Sequence, residues 1–191
     1  RVAGGKRAKA KGASFELKVV EWMTSWWGGL FKRSKNLGVK TQAFSHHSDA
    51  VLGDIVGPED CRLWISCKNV IAGEDKNPDA IFRSLLFRPE KSMMLNVWWS
   101  QACERAMELS AMLGFPMYPI LFFNIHKTGS VTVVGPELWN MLVDSQDYRR
   151  ACPHWIIREH GFDLVLMTSD NFFSMPKNPK LVWWLTGGSH E

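Results

Sequence analysis

The sequence predicts an α/β (α+β) domain, a mixed central β-sheet flanked by helices. Three observations predict it. Two long segments, opening near Ser14 and near Leu95, repeat their apolar residues at helical spacing. Around them lie short runs of β-branched and aromatic residues bounded by Gly, Pro, Asn and Asp, the pattern of strands and turns. The chain has 191 residues and is 46% hydrophobic, with ten Trp and eleven Phe, enough for one aromatic-rich core.

The elements follow in order. In "SFELKVVEWMTSWW", Phe15, Val19, Trp22, Met23 and Trp26 form one helical stripe, with Ser14 as N-cap and Gly28-Gly29 as the stop. "LFKRS" reads as a short strand, and "KNLGVKTQAFSHHSDAV" as a polar loop. "LGDIV" and "RLWISCKN" read as two strands of a hairpin joined by the turn Gly57-Pro58-Glu59-Asp60. After the loop "VIAGEDKNPD", "AIFRSLLF" reads as a short helix ending near Pro89. A long helix follows, roughly Leu95 to Leu113, with Trp98, Ala102, Arg105/Ala106 and Leu109 on one face and Gly114 closing it. "MYPILFFNI" is a continuous apolar run, expected to be a buried central strand, and "VTVV" pairs back on it across Lys127–Ser130. Glu137 to Leu142 is a short helix, "HWII", "DLVLM" and "LVWWL" are strand-like, and "TSDNFFSM" is a capped helical turn.

Charge is distributed unevenly. Residues 1–40 hold ten Lys or Arg against two acids, Glu16 and Glu21, within a chain of net charge +4. Such a basic segment suits a polyanion, because each neutralised phosphate releases counterions. Residues 1–13, "RVAGGKRAKAKGA", are poor in large apolar side chains and are expected to form a basic flexible arm. Cys61, Cys67, Cys103 and Cys152 are scattered without a CxxC pair and read as reduced thiols rather than a zinc site. No apolar run reaches the ~18 residues of a membrane span, and no apolar stretch follows the basic start, so a cytoplasmic protein without a signal peptide or membrane partner is expected. No GxxxxGK[ST] loop is present, which argues against ATP use.

The chemistry concentrates in the hairpin. Phosphodiester hydrolysis requires a divalent cation held by hard oxygen ligands, together with a cation that offsets developing charge or orients the attacking water. Asp54 opens the first strand and Lys68 lies near the end of the second, so a hairpin brings both into one cleft. Alternation puts Trp64, Ser66 and Lys68 on one face and Leu63, Ile65 and Cys67 on the other. Glu16 lies at the edge of the first helix's apolar stripe, where a charge is costly unless paired or metal-bound; the plainer reading is a pair with Lys18 or a basic-arm residue.

A glutamate on the first helix within "KGASFE", then "GD" opening a hairpin, then a strand ending "SCK", resembles the PD-(D/E)xK nuclease superfamily. The order and spacing are similar to archaeal-type Holliday junction resolvases and related small bacteriophage endonucleases; the later "VWWSQACERA" helix and "YPILFF" strand fit the same pattern. The resemblance covers residues 11–134 and divides the chain into the arm (1–13), a nuclease core (14–134) and a C-terminal extension (135–191). It implies a restriction-endonuclease-like core and a Mg²⁺- or Mn²⁺-dependent DNA endonuclease of recombination or replication. By position it implies metal ligands Asp54 and Glu16 and catalytic Lys68. Cleavage of four-way junctions implies a homodimer, since two symmetric cuts need two sites. Lys6, Arg7, Lys9, Lys11, Lys32, Arg33, Lys35 and Lys40 are the expected contacts to the DNA backbone.

The departure is Ser66, two residues before the lysine, where the family pattern carries an acid. Three explanations stay open. The acid has moved, with Glu74, Asp75 or Asp79 serving (Glu59 or Asp60 less readily); or Ser66 holds a water while Asp54 and Glu16 take the ion; or the site is weakened and the chain binds DNA without cutting it. A nuclease acting on ordinary duplex or single strands is the further rival. His46 and His47 are adjacent on a loop and suit phosphate contact better than shared metal ligation. Gln101 reads as solvent-facing rather than facing the site. The pairs Trp26-Trp27, Trp98-Trp99 and Trp183-Trp184 read as core or interface before base-stacking surfaces.

Overall fold

The computed structural model describes residues 3–34, 52–58, 61–70, 93–125, 129–143, 155–159 and 162–175. Its helices are α1 (Ala3–Trp27), α2 (Met93–Leu113), α3 (Pro136–Leu142) and α4 (Ser169–Ser174). Its strands are β1 (Lys32–Arg33), β2 (Ile55–Val56), β3 (Leu63–Val70), β4 (Tyr118–Ile125), β5 (Gly129–Val134), β6 (Trp155–Glu159) and β7 (Phe162–Thr168). The strands form one mixed seven-stranded sheet in the order β1-β2-β3-β4-β5-β7-β6. This is the α/β, restriction-endonuclease-like architecture that the sequence predicts.

β3 and β4 form the only parallel pair among the described strands, with Leu63 opposite Tyr118 and Lys68 opposite Phe123. A parallel pair needs a crossover, and α2 supplies it. β4 is flanked on both sides, which is why "ILFF" can be apolar on both faces. One face of the sheet packs on α1, α3 and α4: Phe15, Val19 and Met23 meet Ile65, Ile120 and Phe122, with Trp139 and Phe172 beside them. The other face packs on α2, where Leu95, Trp99, Ala102, Ala106 and Leu109 meet Trp64, Leu121 and Phe123. The alternation predicted for β3 therefore holds, and each of its faces meets a different helix layer.

The start of α1 differs from expectation. The helix begins at Ala3, not at a capping Ser14, and runs through the segment expected to be a flexible arm. Ala3, Lys6, Arg7, Ala8, Lys9, Ala10, Lys11 and Ala13 are strong helix formers, which outweigh the three glycines among them. Thr168 caps α4 by accepting the Asn171 N–H at 3.2 Å. Trp26 and Trp27 are buried in the core, Trp26 packing 5.0 Å from Phe172, as expected of a core pair. Among the described residues Cys61, Cys67 and Cys103 form no disulfide, and no helix is long and apolar enough to cross a membrane. The proposed helix "AIFRSLLF", the strand "LVWWL", the pair Trp183-Trp184 and Cys152 lie outside the described residues.

Candidate active site

The hairpin closes as its turn residues require. Cys61 N–H donates to the Pro58 carbonyl at 2.9 Å, and Ile55 pairs with Ile65. Asp54 is fixed through its backbone on both sides: its N–H donates to Ile65 O at 2.8 Å, and its carbonyl accepts the Ser34 N–H at 3.0 Å. Gly53 makes this close approach possible. Its φ is +78°, and an added Cβ would lie 2.6 Å from Ile65 O, so only glycine fits between the two strands.

The Asp54 carboxylate is held by one oxygen. Oδ2 accepts from the Cys67 N–H at 2.7 Å and from Ser66 Oγ at 3.0 Å. Oδ1 accepts no hydrogen bond from the described residues. Ser66, only 3% exposed, thus stands beside Asp54 and orients it, while Lys68 lies two residues on along the same face. Among the described residues Lys68 makes no ion pair.

Asp54, Ser66 and Lys68 line a cleft of about 580 Å³ together with Ser34, Gly53 and Trp64. Its opposite wall is α2, which contributes Trp98, Gln101, Ala102, Glu104 and Arg105. Sequence reasoning treated Gln101 as solvent-facing; it is exposed, but toward this cleft. Glu104, Arg105 and Ser34 were missed. Glu104 and Arg105 could have been found from the helix, since they share the Trp98–Gln101 side of α2. Ser34 had no signal in its local sequence.

Glu16 reaches this region from the α1 side of the sheet and does not line the cleft. It is 9% exposed and pairs with Arg33, whose Nε donates to Glu16 Oε2 at 2.6 Å. Arg33, expected at the DNA backbone, is therefore engaged by Glu16. Lys18, the suggested partner of Glu16, instead sits 4.6 Å over the Trp22 ring. Glu16 and Asp54 approach Cys67 together. Burial first, then the Asp54 and Glu16 carboxylates, push the Cys67 thiol well above its ordinary pKa, which keeps it a neutral thiol.

Each acid thus has one oxygen held and one left over. Glu16 Oε2 takes Arg33, and Oε1 has no partner among the described residues. Asp54 Oδ1 is a hard anionic oxygen in the cleft and fits a Mg²⁺-like cation, which needs only one or two protein carboxylates. No three His, Cys, Asp or Glu side chains gather as a metal cage among the described residues. Of the other expected residues, Lys32 is exposed on β1, and Lys6, Arg7, Lys9 and Lys11 lie on the first three turns of α1. Lys35, Lys40, His46, His47, Glu59, Asp60, Glu74, Asp75 and Asp79 lie outside the described residues.

A family model described as "Phage putative PDDEXK endonuclease" matches residues 7–182. That span takes in the helix bearing Glu16, the Asp54–Lys68 hairpin and most of the segment after β5. No curated protein and no solved structure matches the chain.

Proposed function

The chain belongs to the phage PDDEXK endonuclease family, a family of nucleases, and from that premise we propose that it is a metal-dependent DNA endonuclease acting at branched DNA, with four-way junctions as the favoured substrate. The observation that carries the reading is the Asp54 carboxylate, with Oδ2 clamped by Ser66 and Cys67 and Oδ1 left over in a cleft that also holds Lys68. Asp54 and Glu16 would hold Mg²⁺ or Mn²⁺, which when bound supplies Lewis-acid polarisation of the phosphate and a more acidic water. Lys68 offsets the charge that develops on the phosphate or orients the attacking water. Ser66 positions Asp54, so the residue standing where the family pattern has an acid keeps part of that acid's work. Arg33 does for Glu16 what Ser66 does for Asp54. The basic α1 segment and Lys32 would take the flanking backbone. Junction specificity rests on the order of the motifs, and it implies a homodimer.

A second reading, a nuclease fold that binds DNA without cutting, is favoured by Ser66 itself, which stands where the family pattern has an acid two residues before the lysine. A cleavage assay separates the two. Labelled four-way junction, duplex and single-stranded DNA are incubated with Mg²⁺ or Mn²⁺, beside Asp54→Ala. Paired symmetric nicks in the junction, lost in Asp54→Ala, support the resolvase reading. Binding with no metal-dependent cutting of any substrate overturns it.

A further inference from the structure

The two walls of the cleft carry different chemistry. The hairpin floor presents Asp54, Ser66 and Lys68, groups suited to a phosphate and its counter-cation. The α2 wall presents Trp98, Gln101, Ala102 and Arg105, at spacings i, i+3, i+4 and i+7, which form one helical face. That wall is poorly suited to phosphate. Glu104 adds a negative charge to it, and the Arg105 guanidinium is already engaged by Glu108 at 2.6 Å.

The wall does suit a nucleobase. Trp98 is partly exposed, whereas Trp64, the other indole of the cleft, is 5% exposed. Trp98 is backed by Phe123, a fully buried ring 6.3 Å away at 55°. A ring packed against the core and partly exposed in a cleft can serve as a stacking surface of the kind that takes bases in single strands. One turn further on, the Gln101 amide offers both a donor and an acceptor to a base edge. Glu104 adds an acceptor suited to an exocyclic amine, and Ala102 between them leaves room. The volume of about 580 Å³ lies within the range of roughly 300–1,000 Å³ typical of small-molecule sites.

We infer that the α2 wall is a base-binding subsite, in which Trp98 stacks on, and Gln101 hydrogen-bonds to, an unpaired base adjacent to the phosphate held at Asp54 and Lys68. A base within a duplex is stacked on both faces and cannot enter such a cleft without leaving the stack. The subsite therefore favours DNA in which the nucleotide at the cleavage position is unpaired, as where a branch point opens, in a flap or in a single strand. This subsite rests on the nuclease reading for its scissile phosphate but has its own test.

The test compares two DNA substrates that differ only at one unpaired position, a normal nucleotide in one and an abasic analogue in the other. The full-length chain is assayed for cutting with Mg²⁺ or Mn²⁺, and for binding by fluorescence anisotropy with Ca²⁺. The base-containing substrate is expected to be preferred in both readouts. Trp98→Ala should lose roughly 5- to 150-fold on it, the range for one base–aromatic stack, and change little on the abasic one. Trp98→Phe, which keeps a stacking ring and core packing, should retain most of the preference. Equal cutting and binding of the two substrates by the wild type overturns the base subsite and leaves the nuclease reading standing. A binding preference erased by Trp98→Ala, without cutting in any metal, upholds the subsite and overturns the nuclease reading.

Discussion

Gly53→Ala tests the geometry that places Asp54 in the cleft. Gly53 sits at φ +78°, where an L-residue is disfavoured by about 1–2 kcal/mol. Its new Cβ would lie 2.6 Å from Ile65 O, a backbone atom that cannot swing aside. That carbonyl accepts the Asp54 N–H at 2.8 Å, so relief of the clash stretches a hydrogen bond worth about 0.5–1.5 kcal/mol. Together these give a loss of about 1.5–3.5 kcal/mol, which at 2–4 °C per kcal/mol for a chain of this size lowers Tm by roughly 3–14 °C. Activity should fall further than stability, because the displaced bond is the one that seats Asp54. The assay is thermal unfolding by circular dichroism, followed by cleavage measured well below the variant's Tm. Gly12→Ala is the matched control: an added Cβ meets nothing within 4 Å there, and removing a helical glycine should stabilise by about 0.5–1 kcal/mol. If Gly53→Ala unfolds with the wild type and cuts as fast, the tight approach of β2 to β3 is not what positions Asp54.

Four further predictions concern the site. Asp54→Asn should lower cleavage by at least the order of 10²–10³-fold seen for loss of one preorganised charge-stabilising group, with near-native Tm; retained activity would remove Asp54 from the chemistry. Ser66→Ala leaves Asp54 held by the Cys67 N–H alone, and should reduce activity by about fivefold, in line with one lost hydrogen bond of ~1 kcal/mol; an unchanged rate would deny Ser66 its positioning role. Glu16→Gln strands Arg33 at low exposure and should cost ~2 kcal/mol or more in urea unfolding, whereas Glu16→Gln combined with Arg33→Met should cost less than the two single variants added together; a double-variant loss equal to that sum would show no coupling. Burial, and secondarily Glu104, push the Cys103 thiol up from its ordinary value near 9 to about 11. The unfolded thiol loses its proton first, so this group's contribution to stability is intact below pH 9 and declines as pH rises from 9 to 11. Cys103→Ser should flatten that alkaline decline in denaturant midpoints, and an identical decline in the variant would refute the assignment.

The positions of the elements were legible where a local signal was strong. The apolar stripe of α1, the two-residue alternation of β3, the unbroken apolar run of β4 and the Thr168 cap of α4 each have a period or a cap that depends only on near neighbours. The helix start was misread because Ser14 suggested a cap, whereas the Ala and Lys residues before it continue the helix. The Glu16–Arg33 pair was not legible. Nothing in either segment says that β1 carries Arg33 back to α1.

The sequence by itself determined the hairpin, its acid and its lysine, because a turn and an alternating strand are short-range features that fix which side chains share a face. Only the tertiary structure decided what Ser66 does and what stands opposite it. Ser66 alone reads as a missing acid. Its role as a donor to Asp54 Oδ2 depends on Asp54 meeting β3 at Cys67, a cross-strand registration set by Gly53 and the Ile55–Ile65 pairing. Likewise, Gln101 faces the cleft because α2 must cover the apolar side of β3 and β4 with Trp99, Ala102 and Ala106. That demand for burial sets the helix rotation, and the rotation brings Trp98, Gln101 and Arg105 to the cleft wall.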